Sequence, residues 1–262
     1  MVPDGSYRVD IPSLKGMVSE EEWQTRVDLA CAFRLVAHQG WLHGIANHIS
    51  IRVPGNEEHF LLNPYGLEYR EVTASSLVKI DLHGNKVMNS PFDVNQAGFV
   101  IHSAIHAARK DITCAIHTHT EAGMAVSALK CGLLPLSMSA IRFHNRVSYH
   151  DYEGVTLDTD ERDSIAAHLG PSNYAMILRN HGLLTLGRNL GEAFYLMYNL
   201  EKACRSQLSA MATGAELEIP PEDVLEKSAE QSWRTGNSNT NEHPAWQAFM
   251  REMDELDPSY RN

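Results

Sequence analysis

Two histidines separated by one residue, His117 and His119, close the apolar run 112–120, ITCAIHTHT. Side chains alternate along a strand, so Ile112, Cys114 and Ile116 face one side while Thr113, Ala115, His117 and His119 face the other. Two imidazoles on one face form a chelating pair. A catalytic zinc takes three protein ligands and leaves one position for water or substrate, so a third ligand is required. His181 is the best candidate: the run 174–182, YAMILRNHG, is a second apolar segment that ends in a histidine before a glycine turn. A chain with 14 histidines contains some close pairs by chance, and the second histidine-terminated run is what makes this pair a candidate site. Three neutral imidazoles leave a bound divalent ion its positive charge. Such an ion can polarise a carbonyl and stabilise an enolate.

The elements that must position these groups are legible from caps and periodicity. Ser19, followed by three glutamates, predicts a helix that Gly40 stops. The run 47–53 alternates and predicts a half-buried strand, with Ile49, Ile51 and Val53 opposite His48, Ser50 and Arg52. A strand at 59–62 leads into the turn Asn63-Pro64-Tyr65-Gly66, and His83-Gly84-Asn85 marks a hairpin between 77–81 and 86–88. Asn95 caps a helix to about residue 109, on which His102 and His106 share a face. Thr120 caps a helix towards Gly132, 158–169 reads as a short helix, and Asn189 caps a long one that Gly214 stops. The run 147–154, VSYHDYEG, is dense in proton-transferring groups and otherwise reads as a solvated loop.

One domain is expected over 1–215. Residues 216–262 read as a linker and a tail helix, whose stripe of Trp246, Phe249, Met250 and Met253 must be covered by its own domain or by a neighbouring subunit. The chain has 262 residues and a net charge of -11, which argues against nucleic-acid binding. The start of the chain carries no apolar leader, and no run reaches the eighteen or so apolar residues of a membrane span, so a soluble cytoplasmic protein is expected. The four cysteines are widely spaced and read as reduced core residues.

IHTHT, the segment Asn180-His181-Gly182-Leu183-Leu184, the strand beginning Asn47-His48-Ile49-Ser50, and the turn at 63–66 together resemble the class II aldolase and adducin head-domain family over roughly residues 20–215. The resemblance implies a three-layer α/β/α fold around a mixed, largely antiparallel sheet. It also implies a homotetramer with sites at subunit interfaces. It carries the metal ligands onto His117, His119 and His181, with zinc expected first and Fe, Mn or Co as alternatives. His102 matches a histidine on the same helix of the family. Tyr149, His150 and Glu153 lie in a YHDYEG segment shared with the adducin-like branch and join His102 as acid/base candidates. Substrate contacts fall on Asn47, Tyr65, Gly66 and Gln96.

This sequence departs from the family's aldolases in two places. The acid/base glutamate is replaced by Gly98, and a phosphate-gripping serine pair by Gln96-Ala97. A metal-dependent lyase or decarboxylase acting on a small non-phosphorylated substrate is therefore expected. A non-haem iron oxygenase and a non-catalytic adducin-like binding module are the alternatives. Restoring the carboxylate as Gly98→Glu is expected to raise aldolase activity, provided the helix tolerates the side chain beside the metal.

Overall fold

The Ser19 hydroxyl accepts the Glu22 N–H at 3.2 Å and so starts the first helix, α1 (Glu20–His38), as its capping sequence predicts. The computed structural model describes residues 11–154, 161–235 and 244–262. After α1 come β1 (His48–Val53), β2 (Asn56–Leu62), β3 (Val78–Asp81), α2 (Gln96–Ala108), β4 (Cys114–Thr118), α3 (Glu121–Ser127) and α4 (Met138–Ile141). The second half runs β5 (Val147–His150), α5 (Glu161–Leu169), β6 (Ala175–Leu178), β7 (Gly182–Gly187), α6 (Leu190–Met211), α7 (Glu222–Thr235) and α8 (Pro244–Leu256). Thr120 and Asn189 cap α3 and α6 through their side chains.

The strands form one seven-stranded sheet in the order β3-β2-β1-β4-β7-β6-β5. Only β5 and β6 run parallel; the other neighbours are antiparallel. Alternation distributes the side chains as the period of two requires. Cys114, Ile116, Ile177 and Leu183 enter the core with residues of α1, α6 and α8. Ala115, Met176, Leu178 and Leu184 join Ile101 and Ile105 of α2 and Ile165 and Leu169 of α5 on the other face. Helices thus cover the mixed sheet on both sides, as expected from the resemblance.

Three expectations need correction. The strand predicted as half-buried, β1, is buried at all six positions, because α2 covers its polar face. There Ser50 Oγ lies 2.5 Å from His102 Nδ1 and 2.8 Å from His106 Nε2, and Arg52 donates to the carbonyls of Ile112 and His106. The 77–88 hairpin reduces to β3 and a single bridge between Ile80 and Lys86. Within the region read as linker, Glu222–Thr235 is helix α7, while 236–243 lies outside the described residues. Residues 158–160 of the predicted short helix also lie outside them.

The tail stripe is covered within the chain. Trp246 is 1% exposed and its ring lies 5.6 Å from that of Phe194, while Phe249 packs against Phe194 and Tyr198 of α6. Among the described residues no helix is long and apolar enough to cross a membrane.

Candidate metal centre

Strand register brings the histidines to one rim of the sheet. His48, the first residue of β1, pairs across from His117 near the end of β4, and Thr118 pairs with Leu183 at the start of β7. Leu62 of β2 and Leu178 of β6 end at the same rim, followed by the Tyr65-Gly66 turn and by His181 respectively. The Asn180-His181-Gly182 sequence has a local reason. Asn180 sits in the left-handed region at φ 57, which asparagine tolerates, and turns the chain between β6 and β7. A Cβ on Gly182 would collide with the Thr118 carbonyl oxygen, so only glycine lets β7 start so close to β4.

His117 Nε2 lies 2.9 Å from His119 Nε2, which lies 2.9 Å from His181 Nε2. All three nitrogens fall within 4.8 Å of one another, the one group of three such ligands among the described residues. The tautomers follow from the acceptors around the rings. Leu183 O, at 2.9 Å, can only accept, so His117 Nδ1 carries the hydrogen and donates. Asn47 Oδ1 accepts both the His119 N–H at 2.9 Å and His119 Nδ1–H at 3.0 Å, while its Nδ2 donates to Trp41 O at 2.7 Å. His117 and His119 therefore turn bare Nε2 lone pairs towards each other. Two lone pairs repel at such a distance unless a positive charge stands between them.

A proton is poorly suited to that place. Burial, then the neighbouring imidazoles, hold His117 well below the ordinary histidine range and bring His119 down to about 3. Burial also lowers His181, with His150 as the next cause. Neutral imidazoles with lone pairs converging on one point are the form in which histidine binds a metal.

The other expected site residues are dispersed. Asn47 is 1% exposed and its amide holds His119, which makes it a support for the triad. Tyr65, half exposed, and Gly66 occupy the turn after β2 at the same rim. Gln96 opens α2, and its side chain lies outside the described residues. His102 points at Ser50 and meets His48 edge-on at 5.9 Å, one layer behind the triad.

The proton-transfer segment also departs from its expected reading. Its first half is strand β5, and Tyr149 is structural: its hydroxyl accepts the Leu133 N–H at 3.0 Å and Arg179 lies over its ring. His150 is buried, with its Nδ1 2.8 Å from His168 Nδ1, and exposed Glu153 accepts from Ser164 Oγ at 3.0 Å. Tyr152 is the residue of this segment beside the triad, its ring 6.3 Å from His181. Two further rings at the site were not singled out by sequence: His43, 5.4 Å from His119, and His48, 5.7 Å from His117. The alternation that placed His48 on the same strand face as Ser50 was the available signal, but its neighbour across the sheet was not readable.

The family model for the class II aldolase and adducin N-terminal domain matches residues 27–208. The chain belongs to that family. An aldolase II superfamily protein from Pseudomonas syringae is 47% identical, with a TM-score of 0.91 over 96% of this chain and 100% of that one. L-fuculose 1-phosphate aldolase from Glaciozyma antarctica PI12 is 28% identical, with a TM-score of 0.81 over 97% of each chain. Alpha-adducin of Rattus norvegicus is 44% identical over 244 residues, which cover 88% of this chain and 33% of that protein. The family thus contains both named enzymes and adducins.

Because Asn47 fixes the tautomer of His119, Asn47→Ala is expected to weaken metal binding by about 10–100-fold, the usual effect of losing such a partner. Competition with a chromogenic chelator measures it, and equal affinities would remove Asn47 from the site's support.

Proposed function

We propose that His117, His119 and His181 hold one divalent metal, zinc in the first instance, and that the protein is a metal-dependent lyase. The observation that carries this reading is the pair of fixed-tautomer Nε2 lone pairs 2.9 Å apart, with His181 Nε2 beside them. A divalent ion bound there supplies Lewis-acid stabilisation of the negative charge that develops on a carbonyl oxygen when a neighbouring carbon-carbon bond breaks. The protein's own part is orientation and exclusion of water. Leu183 O and Asn47 aim the two strand imidazoles, β1 and α2 close the inner side, and Tyr65 and Tyr152 stand exposed at the rim.

The substrate is small and non-phosphorylated in this reading, because Gln96-Ala97 stand where phosphate-gripping serines are expected and Gly98 offers no carboxylate. Carbon-carbon cleavage or decarboxylation is the proposed reaction class. A non-haem iron oxygenase would use the same three imidazoles. A binding role is favoured by the likeness to alpha-adducin. The donor set built around the three histidines weighs for the enzyme.

Elemental analysis of protein purified without added metal is expected to find about one ion per chain, reduced several-fold in His117→Ala and His181→Ala. Full occupancy in either variant would strike that histidine from the ligand set. Iron with oxygen uptake on turnover would move the assignment to the oxygenase, and absence of metal to the binding module.

The family resemblance also supports a small-molecule enzyme of the cytoplasm that assembles as a homotetramer. Met138, 85% exposed, and Met17, 72% exposed, are apolar side chains such an assembly could cover. Sedimentation equilibrium at micromolar concentration is expected to give four chains, and a strict monomer would end the proposal.

A further inference from the structure

Between and beside the two strand histidines stand two threonines that point the opposite way. Thr118 shares the strand face of Cys114 and Ile116, which enter the core with α6, and its hydroxyl donates to Met197 Sδ at 3.4 Å. Thr120, in extended backbone directly after His119, donates to Glu201 Oε2 at 2.5 Å. Met197 and Glu201 are four apart on α6 and so share one of its faces. That helix face holds the even-numbered residues of the segment whose odd-numbered residues form the chelating pair.

A carboxylate is a costly choice for this face. Met197, Leu200 and Cys204 around it belong to the apolar core, and Glu201 itself is 2% exposed. A buried carboxylate needs hydrogen bonds to offset its lost hydration, and Glu201 takes them from the Thr120 hydroxyl and from Arg205 Nε at 2.7 Å. The hydroxyl has no freedom left: it accepts the Gly123 N–H at 3.1 Å, which caps α3, and its single hydrogen goes to the carboxylate. A Cβ on Gly123 would stand 2.6 Å from Leu183 Cγ, so the start of α3 lies directly on the residue whose carbonyl orients His117. The tie from Glu201 therefore ends in the backbone that carries the metal-facing imidazoles.

We propose that Glu201 is a positioning residue of the three-histidine centre: through Thr120 it fixes the chain at the end of β4 and with it the place of His119 Nε2 relative to His117 and His181. The inference rests on the metal reading above. His119 is held from two sides, its own N–H by Asn47 Oδ1 and the residue after it by Glu201. Apolar packing of α6 is non-directional, whereas a metal site needs its ligands placed to within about 0.5 Å. A carboxylate paired with an arginine supplies that direction, because charge-assisted hydrogen bonds are shorter and roughly twice as strong as neutral ones.

Chelator competition on the full chain is expected to show zinc bound about tenfold more weakly in Glu201→Leu, the lower end of the usual effect of losing a group that supports a ligand. Glu201→Gln keeps a neutral acceptor for Thr120 and should lose only about threefold, half the effect on a free-energy scale. The visible absorption of the cobalt-substituted protein, which reports the geometry of the ligands around the ion, should change in Glu201→Leu and stay close to wild type in Glu201→Gln. Thr120→Val removes the same hydrogen bond from its other end, so it carries the test should Glu201→Leu fail to fold, and the double variant should bind zinc no more weakly than the weaker single one. Wild-type zinc affinity and cobalt spectrum in the folded Leu or Val variant, a Gln variant as weak as the Leu one, or additive losses in the double variant overturn the inference alone. A wild-type protein that takes up no zinc overturns the metal reading and this inference together.

Discussion

Metal-free protein should lose at least about 3 kcal/mol of folding stability between pH 7.5 and pH 5.5, the share of the three imidazoles behind the triad, to which His117 and His119 add. Burial holds His48, His102 and His106 at about 3 in the folded chain against an ordinary value of 6.5. The next causes are also repulsive: His102 and His181 for His48, His106 for His102, and Arg52 for His106. Between those two pH values the unfolded chain binds more protons than the folded one, so stability is full above 6.5 and drains away as pH falls towards 3. At one pH unit below the unfolded value each ring costs about 1.4 kcal/mol, or about 4 kcal/mol for the three. Asp28 opposes them, since burial raises it to about 6 and its protonation returns a little under about 1 kcal/mol over the same step. The net loss is a large share of the roughly 5–15 kcal/mol that holds an ordinary domain together. Urea denaturation at the two pH values measures it. An unchanged midpoint would mean that the three rings are not buried as neutral imidazoles.

Gly98→Glu should damage the protein and leave sugar-phosphate cleavage absent. From the sequence this substitution looked like the restoration of a missing carboxylate. The structure reverses that expectation, because the first side-chain atom alone would meet the His48 ring at 2.5 Å. Either the imidazole leaves its place beside His117 or the first turn of α2 moves. Overpacking of this kind costs about 1–3 kcal/mol and occasionally more, and the displaced ring should also disturb the triad. A double-mutant cycle separates the causes: His48→Gly with Gly98→Glu should be less destabilised than the sum of the single variants, because the clash is shared. Additive effects, or cleavage of fuculose 1-phosphate by Gly98→Glu at ordinary enzymic rates, would show that the two residues are not packed as described.

The contrast between these residues and the triad shows where sequence reasoning reached and where it stopped. His117 and His119 were legible because a strand's period of two is local, and His181 because a second apolar run ended in Asn-His-Gly. The caps at Ser19, Thr120 and Asn189 were legible for the same reason. The place of His48 depends on which strand lies beside β1 and in what register, a fact spread over the sixty-odd residues between His48 and His117. Gly98 was readable as a missing function but not as a vacant volume, since its neighbour belongs to another element. The full burial of β1 was hidden likewise: its polar residues suggested water, while His106, Ile112 and α2 supplied the partners instead. Helix α7, behind Pro220-Pro221, was masked by its polar composition.

The central position of β4 has a kinetic consequence. Its two neighbours, β1 and β7, come from far apart in the chain, and each must find β4 by closing a long loop before any hydrogen-bond ladder offsets the lost chain entropy. The third imidazole reaches the other two only when β7 has docked, and Asn47 reaches His119 only when β1 has. A nascent chain therefore brings at most two of the three imidazoles together until both docking events are complete. On the proposed metal reading, capture of an ion would belong to the end of folding, after both strands have docked.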